Sequence, residues 1–212
     1  MKILNLYACL GGNRYKWNEV KNDIEVTAVE LDPELARLYQ DRFPNDNVVV
    51  ADAHQYLLDY FDDFDFVWSS PPCPTHSRLN SMIIKNSGVR YPDMKLYQEI
   101  IILKKWFKGK FVVENVIPYY PPLIPAIKRD RHLYWTNFNL PNDLGDRKKN
   151  DLTKLSIKEL EEFHNIDLCS YKGKQDKVKI GRNLVDYEAG KTIFETALGI
   201  INNKTEQTKL FL

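Results

Sequence analysis

The sequence predicts an α/β fold, with a doubly wound, mostly parallel sheet and helices on both faces. Short apolar runs of strand type alternate with helical patterns through the first half of the chain. The 212 residues, of which 43% are hydrophobic, suffice for one well-packed domain and are too few for two large ones. We therefore expect one core to organise nearly the whole chain.

Five buried strands are expected in the first half, at residues 3–7, 25–29, 47–50, 64–68 and 110–113. Asp32 and Pro33 supply an N-cap and a first-turn proline for a helix between the second and third strands. Residues 94–107 carry an apolar stripe at helical spacing, so the fifth strand is again reached through a helix. This alternation predicts the parallel order of the strands.

The second half of the chain is less regular. The proline-rich residues 119–122 predict a loop, residues 132–139 one further strand, and residues 186–201 a final helix. Ser156 and Glu159 have the spacing of a capping box at the start of a short amphipathic helix. We divide the chain into a main domain (residues 1–139 with 180–201), a small insertion (140–179) and a tail (202–212).

Composition narrows the class of protein. The 30 Lys and Arg residues balance 29 Asp and Glu residues, so a polyanionic partner requires a local basic patch. Cys9, Cys73 and Cys169 form no CxxC pair, which argues against a disulfide framework or a zinc cluster and favours a reducing compartment. No apolar stretch approaches the roughly 18 residues of a membrane span. We expect a soluble, cytoplasmic protein without a metal.

A glycine pair follows the first strand, in the run from Asn5 to Gly12. Gly11 and Gly12 permit the tight turn and close backbone approach that a nucleotide-like ligand requires, although such pairs are also common as plain turns. Glu30 ends the second strand, where an acid accepts hydrogen bonds from ribose hydroxyls. Asp52 follows the third strand and fits either an adenine contact or a helix N-cap.

Cys73 follows the fourth strand and has three prolines around it. Proline fixes φ and withdraws backbone donors, so we expect a thiol on a rigid loop at the carboxyl end of a central strand. A structural cysteine is instead expected to be buried beside an apolar run, as with Cys169 after residues 166–168. Glu114 ends the fifth strand at the same edge. Such a pair suits attack on an electron-poor ring, because one group adds and the other polarises.

These motifs occur in the order found in the DNA cytosine-5 methyltransferases, which the sequence resembles. The matching segments are the turn YACLGG, the acid strand VELDP, PPCPTHS around Cys73, ENV at Glu114, Arg129-Asp130-Arg131 and the closing IGRNLV. The resemblance covers roughly residues 2–139 and 178–200 and is to the short versions found in phages and mobile elements. It implies the Rossmann-like fold of methyltransferases that use S-adenosylmethionine (SAM).

The resemblance also implies roles for individual residues. Cys73 would add to C6 of a cytosine turned out of its stack, and Glu114 would hold N3 and the exocyclic amine. Arg131 would contact the flipped base, and Asn115 would support the loop that carries Glu114. The implied SAM-binding residues are Tyr7, Ala8, Leu10, Gly11, Gly12, Glu30, Leu31, Asp52, Ala53, Pro71, Asn183 and Val185.

Two regions depart from the family pattern. Asn5 and Cys9 stand where the family has an acid and a glycine, which alters the shape or the affinity of the turn. The target-recognition domain is reduced to about forty residues, at 140–179. Double-stranded DNA is the implied partner, with short or relaxed specificity. The residues expected on DNA, with a solvated basic surface as the alternative, are Ser77, Arg78, Arg129, Arg147, Lys148, Lys149, Lys172, Lys174, Lys177 and Lys179.

The last residues contain a second short motif. Gln207, Leu210 and Phe211 resemble the Q-x-x-L-F peptide with which bacterial proteins dock onto the sliding clamp. Such a tether would raise the effective concentration of the protein on DNA. The alternative is that Leu210 and Phe211 pack on the protein's own surface.

Other functions stay open at this point. A tRNA cytosine-5 methyltransferase shares the proline-cysteine and ENV motifs. Ser70-Pro71-Pro72 is similar to the loop of amino-methyltransferases, but Cys73 replaces the aromatic residue that would stack on the base. An inactive binding protein of the same fold would not need Cys73 and Glu114. His76 and Arg78 form a further hypothesis, in which their charge favours a thiolate at Cys73.

Overall fold

The structure is a computed structural model and describes residues 1–78, 90–145, 147 and 155–201. Its strands are β1 (Lys2–Leu6), β2 (Glu25–Glu30), β3 (Asn47–Val50), β4 (Phe66–Ser69), β5 (Lys110–Val116), β6 (Ile127–Arg129) and β7 (His132–Thr136). They form one sheet in the order β3-β2-β1-β4-β5-β7-β6. β1 to β5 pair in parallel, and β7 is antiparallel to both β5 and β6. The predicted doubly wound, mostly parallel α/β fold is confirmed.

The helices of the described residues are α1 (Trp17–Val20), α2 (Pro33–Arg42), α3 (Ala53–Tyr60), α4 (Lys95–Lys105), α5 (Ile157–His164), α6 (Lys177–Asn183) and α7 (Tyr187–Ala197). The Asp32 carboxylate accepts from two N–H groups at the start of α2. Ser156 and Glu159 form a reciprocal capping box at the start of α5. Both caps were predicted, because capping depends on residues adjacent in the chain.

Side chains of each central strand enter cores on both faces of the sheet. Leu4 and Leu6 of β1 are fully buried in a cluster with residues of α3 and α4. Ile3, which precedes Leu4 and faces the opposite side of the sheet, is buried in a second cluster with residues of α1 and α7. Because both faces are covered, the strands consist of continuous apolar runs rather than alternating ones.

Several short elements were missing from the sequence prediction, among them α1, β6 and α6. β6 has three residues, two of them basic, and is held by its hairpin with β7. α6 is short, contains Gly181 and packs against α5. The strand predicted at 132–139 ends earlier, at Thr136, where the hydroxyl donates to the carbonyl of Phe138. β6 and α6 depend on pairing and packing with residues outside their own segments.

The insertion packs on the main domain. Leu168 and Tyr171 share a buried cluster with Leu10, from the turn after β1, and with Leu184. The Arg42 guanidinium adds a polar tie, because it donates to the carbonyls of Leu10 at 2.8 Å and of residue 164 at 3.2 Å. The insertion therefore supports the first turn of the sheet from behind.

Cys169 is exposed, contrary to the expectation of a buried structural cysteine. Its neighbour Leu168 is the residue that enters the cluster. The Cys169 sulfur donates to the Glu161 carboxylate at 3.2 Å. An apolar run predicted burial for the segment but not which of its side chains enters the core.

The described ranges contain neither a membrane-spanning helix nor a cluster of metal ligands. None of the helices there has the length and hydropathy needed to cross a bilayer. The same ranges contain no group of three or more His, Cys, Asp or Glu residues that could hold a metal ion.

Gly190→Ala is expected to destabilise the protein by about 2 kcal/mol, although alanine in place of glycine normally favours a helix. A β-carbon at this position in α7 would lie 2.3 Å from the carbonyl oxygen of Asn13, so backbone would have to move. Urea denaturation measures the change in the free energy of unfolding. Gly181→Ala in α6 is the matched control and should cost much less, because its β-carbon would meet only the Leu160 side chain, at 3.1 Å. Equal effects of the two substitutions would contradict this explanation.

Candidate active site

The carboxyl ends of the parallel strands surround a cavity of about 520 Å³. This volume is typical of small-molecule sites, and strand ends are where doubly wound folds bind ligands. The walls also include the loop after β4, the β6–β7 hairpin and the connection between α6 and α7. The predicted site residues that line the cavity are Tyr7, Ala8, Gly12, Glu30, Leu31, Asp52, Ala53, Pro71, Cys73, Glu114, Asn115, Arg131, Asn183 and Val185.

The turn after β1 has a backbone that favours glycine. Tyr7, Cys9 and Gly11 have positive φ, at 56°, 46° and 64°. The Glu30 carboxylate holds this turn, since its two oxygens accept from the N–H of Cys9 at 2.9 Å and of Asp32 at 3.1 Å. Burial and the charge of Glu30 raise the pKa of Cys9 to about 12. The cysteine at the family's glycine position is therefore a neutral thiol near pH 7.

Leu10 and Gly11 lie behind this turn rather than on the cavity wall. Leu10 is buried in the cluster that it shares with the insertion. A β-carbon on Gly11 would lie 2.5 Å from the Phe43 ring and 2.8 Å from the Tyr39 ring. These two residues shape the turn through packing. The prediction had placed them in direct contact with SAM.

One part of the cavity, which we call the cofactor half, is lined by Tyr7, Gly12, Glu30, Leu31 and Asp52. This part fits a nucleoside-bearing ligand. A β-carbon on Gly12 would lie 2.4 Å from the Val185 carbonyl oxygen, so the wall is bare backbone at this point. Leu31 lines the cavity and is 67% exposed, which offers an apolar surface to a ring. Asp52 caps α3 by accepting from the N–H of Gln55 at 3.1 Å and also lines the cavity. Both interpretations of this acid are compatible with its position.

The loop that carries Cys73 is anchored at several points. The Cys73 carbonyl accepts from the N–H groups of His76 and Ser77, each at 2.9 Å, which closes a tight turn. The Asn115 side chain donates to the Pro71 carbonyl at 2.9 Å in a buried position. Cys73 is partly buried on the cavity wall. The thiol is thus both held and accessible.

His76 ties this loop to the segment after β5. Its Nδ1 lies 2.6 Å from the Tyr120 hydroxyl, and its carbonyl accepts from the N–H of Tyr119 at 3.0 Å. Burial lowers the pKa of His76, so the imidazole is neutral near pH 7. A neutral imidazole brings no charge to Cys73, and the contacts of His76 hold the loop in place.

Glu114 and Arg131 line the same cavity as Cys73. Glu114 is mostly buried within β5. Arg131 lies in the hairpin before β7, where its carbonyl accepts from the N–H of Ile117 at 3.3 Å. The next residue, His132, places Nε2 3.5 Å from Oε1 of Glu114 and lines the cavity. His132 was not among the predicted site residues, because only antiparallel pairing brings it beside β5.

The acidity of Cys73 provides a test of this geometry. Burial and then the negative charge of Glu114 raise the pKa of the Cys73 thiol, while Arg131 acts in the opposite direction. Only the thiolate is nucleophilic, so we expect alkylation by iodoacetamide to rise with pH to a midpoint above that of an exposed cysteine. Glu114→Gln should lower this midpoint and Arg131→Met should raise it, as measured by mass spectrometry of the Cys73 peptide. An unchanged midpoint in Glu114→Gln would contradict the electrostatic coupling.

Two arginines predicted to contact DNA are engaged inside the protein. Arg129 donates to the carbonyls of residues 140 and 141. Arg147 lies between the rings of Phe163 and Tyr187, 3.9 Å from each centroid. Both guanidinium groups hold the insertion against the main domain, a role that sequence analysis did not anticipate.

Other basic residues lie nearer the solvent. Arg78, Lys172, Lys174 and Lys179 are exposed. Lys179 also lines the cavity, as do Arg182 and Lys95, which the sequence analysis had not included. Ser77 forms a bridge with Pro118, and Lys177 donates to the carbonyl of Cys169. Some predicted residues lie outside the described ranges, namely Lys148, Lys149, Gln207, Leu210 and Phe211.

The sheet order, the acid at the end of β2 and the cavity at the strand ends define a SAM-dependent methyltransferase. A solved structure has a similar fold. The methyltransferase EhMeth of Entamoeba histolytica matches with a TM-score of 0.53 and 11% identity, over 95% of this chain and 99% of that chain.

The chain belongs to the C-5 cytosine-specific DNA methylase family, whose family model matches residues 1–118. A mutant of DNMT2 from Spodoptera frugiperda is 28% identical over 54% of this chain, with a TM-score of 0.38, and the match spans only 35% of the DNMT2 chain. The putative methyltransferase yhhF from Escherichia coli is 16% identical over 64% of this chain and 73% of that chain, with a TM-score of 0.43. A sequence search of curated proteins finds no match.

Proposed function

We propose that this protein methylates C5 of cytosine in double-stranded DNA, with Cys73 as the nucleophile and SAM as the methyl donor. One observation carries the proposal: Cys73, Glu114 and Arg131 line the same cavity as the residues of the cofactor half. The charges of Glu114 and Arg131 both act on the Cys73 thiol, so the three groups are close. A shared cavity brings all reacting groups within reach of one base.

The chemistry follows from what each residue can exchange with the ring. The Cys73 thiolate bonds to C6 while Glu114 transfers a proton to N3. The ring becomes an enamine, and its electron pair is available at C5. When bound, SAM supplies the electrophilic methyl group that this carbon takes up. Loss of the C5 proton to solvent then restores the C5–C6 double bond, expels the Cys73 thiolate and returns the N3 proton to Glu114.

Neighbouring residues support this pair. The hydrogen bond from Asn115 to the Pro71 carbonyl joins the strand of Glu114 to the loop of Cys73. His132 lies 3.5 Å from the Glu114 carboxylate, which suits it to orient that group. Arg131 is exposed on the cavity wall, where it would meet a base that enters from solvent.

Double-stranded DNA is the substrate that we propose within the cytosine-5 chemistry. The matching family is described by its action on DNA. A cytosine has to leave its stack to reach a thiol inside a cavity. The exposed residues Arg78 and Lys179 are suited to the phosphates around such a base. RNA offers the same base and similar phosphates, so it is the alternative outcome of the test.

Purified protein with labelled SAM, offered duplex DNA and tRNA side by side, tests the substrate. We expect label in DNA, at cytosines identified by bisulfite sequencing, and none with Cys73→Ala. Label that enters only tRNA would overturn the DNA proposal and leave the cytosine-5 chemistry in place. Label in neither substrate would overturn both.

We further infer a short enzyme of the phage or mobile-element type, with residues 140–179 in place of a full recognition domain. The insertion packs on the main domain through Leu168 and Tyr171 and leaves Lys172 and Lys174 exposed. So small a surface suits a short or relaxed target sequence. Such an enzyme would act in the cytoplasm of a bacterial or phage-infected cell, for example in restriction–modification.

The tail would tether this enzyme to a replication clamp through Gln207, Leu210 and Phe211. Comparison of the full chain with one lacking residues 202–212 tests the tether. Methylation of clamp-loaded DNA should fall in the shortened chain, and methylation of naked DNA should not. If the full and the shortened chain methylate clamp-loaded DNA at the same rate, the clamp is removed from the proposal.

A further inference from the structure

A buried carboxylate, Glu99, lies next to the cavity and takes no part in the proposed reaction. It is fully buried on the inner face of α4, where Leu96, Ile100 and Leu103 enter the main core. An acid in such a position is costly unless hydrogen bonds satisfy its oxygens. Its partners therefore indicate why the chain carries an acid there.

Three side chains bond to this carboxylate. The Tyr7 hydroxyl donates to Oε1 at 2.6 Å, and the Ser69 hydroxyl donates to Oε2 at 2.6 Å. Nδ1 of His54 lies 2.9 Å from Oε1, and its Nε2 lies 3.1 Å from the side-chain oxygen of Gln98. The hydrogen bond to Glu99 raises the pKa of His54, against the opposing effect of burial. The short O–H···O distances are typical of bonds to an ionised acceptor.

The three partners come from different elements around the cavity, and of the three Tyr7 is the one that lines it. Tyr7 belongs to the turn after β1, has a φ of 56° and lines the cofactor half. His54 lies in the first turn of α3, directly after Ala53. Ser69 ends β4, at the start of the loop that carries Cys73. One carboxylate thus connects the cofactor half of the cavity to the loop that carries Cys73.

We propose that Glu99 is a positioning residue, which orients Tyr7 towards the cofactor and Ser69 at the root of the Cys73 loop. The backbone of Tyr7 supports this, because a residue other than glycine keeps a positive φ only where its surroundings hold it. The part that concerns Cys73 rests on the proposed function. The part that concerns Tyr7 requires only that SAM binds.

Glu99→Gln tests the proposal with little change of shape. The amide is neutral and turns one acceptor oxygen into a donor, so the hydroxyls lose a charged acceptor. We expect the dissociation constant of SAM, measured by calorimetry, to rise about tenfold, because a Tyr7 side chain that Glu99 no longer holds must be ordered when SAM binds. The rate at which Cys73 is trapped by 5-fluorocytosine in duplex DNA, at saturating SAM, should fall by a similar factor.

Single-partner variants separate the two halves. Tyr7→Phe should weaken SAM binding without slowing the trapping of Cys73. Ser69→Ala should slow the trapping of Cys73 without weakening SAM binding. Combined with Glu99→Gln, each should have less effect than it has alone, because the shared bond is already lost. Full additivity in both double variants would overturn the proposal.

Asp46→Asn is the matched control for lost stability. Asp46 is also a buried acid, bonded to Arg14 at 2.9 Å and to Tyr39 at 2.8 Å, but it does not line the cavity. It should lower the melting temperature and leave SAM binding unchanged. If Glu99→Gln behaves in the same way, with normal SAM binding and trapping, Glu99 is only structural and the proposal is wrong.

Two further outcomes also decide. If Glu99→Gln does not fold, wild-type SAM binding in Tyr7→Phe together with wild-type trapping in Ser69→Ala overturns the proposal. If the wild-type protein traps no cytosine analogue in DNA or RNA, the proposed function fails, and SAM binding by Glu99→Gln and Tyr7→Phe still decides the role of Glu99.

Discussion

Cys73→Ala is expected to lower the rate of DNA methylation by more than about 10⁴-fold. Without a bond to C6, the C5 carbon keeps the weak nucleophilicity of an aromatic ring. Cys9 also lines the cavity, but its pKa of about 12 and its place in the cofactor turn prevent it from acting instead. SAM binding should be unchanged. Transfer of labelled methyl groups to duplex DNA and calorimetry with SAM measure the two quantities.

Cys169→Ala is the matched control for this experiment. Cys169 is exposed and does not line the cavity. Its loss should leave methylation at the wild-type rate. Methylcytosine that persists in cells expressing Cys73→Ala, detected by bisulfite sequencing, would refute the covalent mechanism.

Glu114→Gln is expected to lower the rate by about 10² to 10⁴-fold, the usual contribution of a general acid. Glutamine preserves the shape of the side chain but has no acidic proton for N3. Because Glu114 raises the pKa of Cys73, the same variant should carry more thiolate at neutral pH. Slower methylation together with faster alkylation of Cys73 would therefore show that the variant fails to activate the cytosine ring, and that its thiol remains reactive.

Glu19→Gln serves as the control for the loss of one carboxylate. Glu19 pairs with Lys191 at 2.9 Å and does not line the cavity. Its methylation rate should equal that of the wild type. A wild-type rate in Glu114→Gln would remove Glu114 from the mechanism, and slower alkylation of Cys73 would contradict the electrostatic coupling.

Features that depend on neighbours in the chain were predictable. The five parallel strands and the caps at Asp32 and Ser156 follow from local pattern and lie where they were expected. The convergence of Cys73 and Glu114 could also be predicted, because the carboxyl ends of adjacent parallel strands meet at one edge of the sheet.

Features that depend on distant contacts were not predictable. His132 reaches Glu114 only through the antiparallel register of β7 with β5. Arg147 resembled a phosphate contact until the structure placed it between two aromatic rings. Glu99 is one acid on an apolar helix face, and nothing near it in the chain indicates its three partners.

The sequence by itself determined the fold class, the family and the two groups proposed for the chemistry, because strand pattern, caps and motifs are properties of short segments. Only the tertiary structure decided which residues surround those groups. Burial and the charge of Glu114 set the acidity of Cys73, and Glu99 joins the cofactor half to the Cys73 loop. Desolvation and electrostatic interaction depend on distances in space, which the order of residues along the chain does not contain.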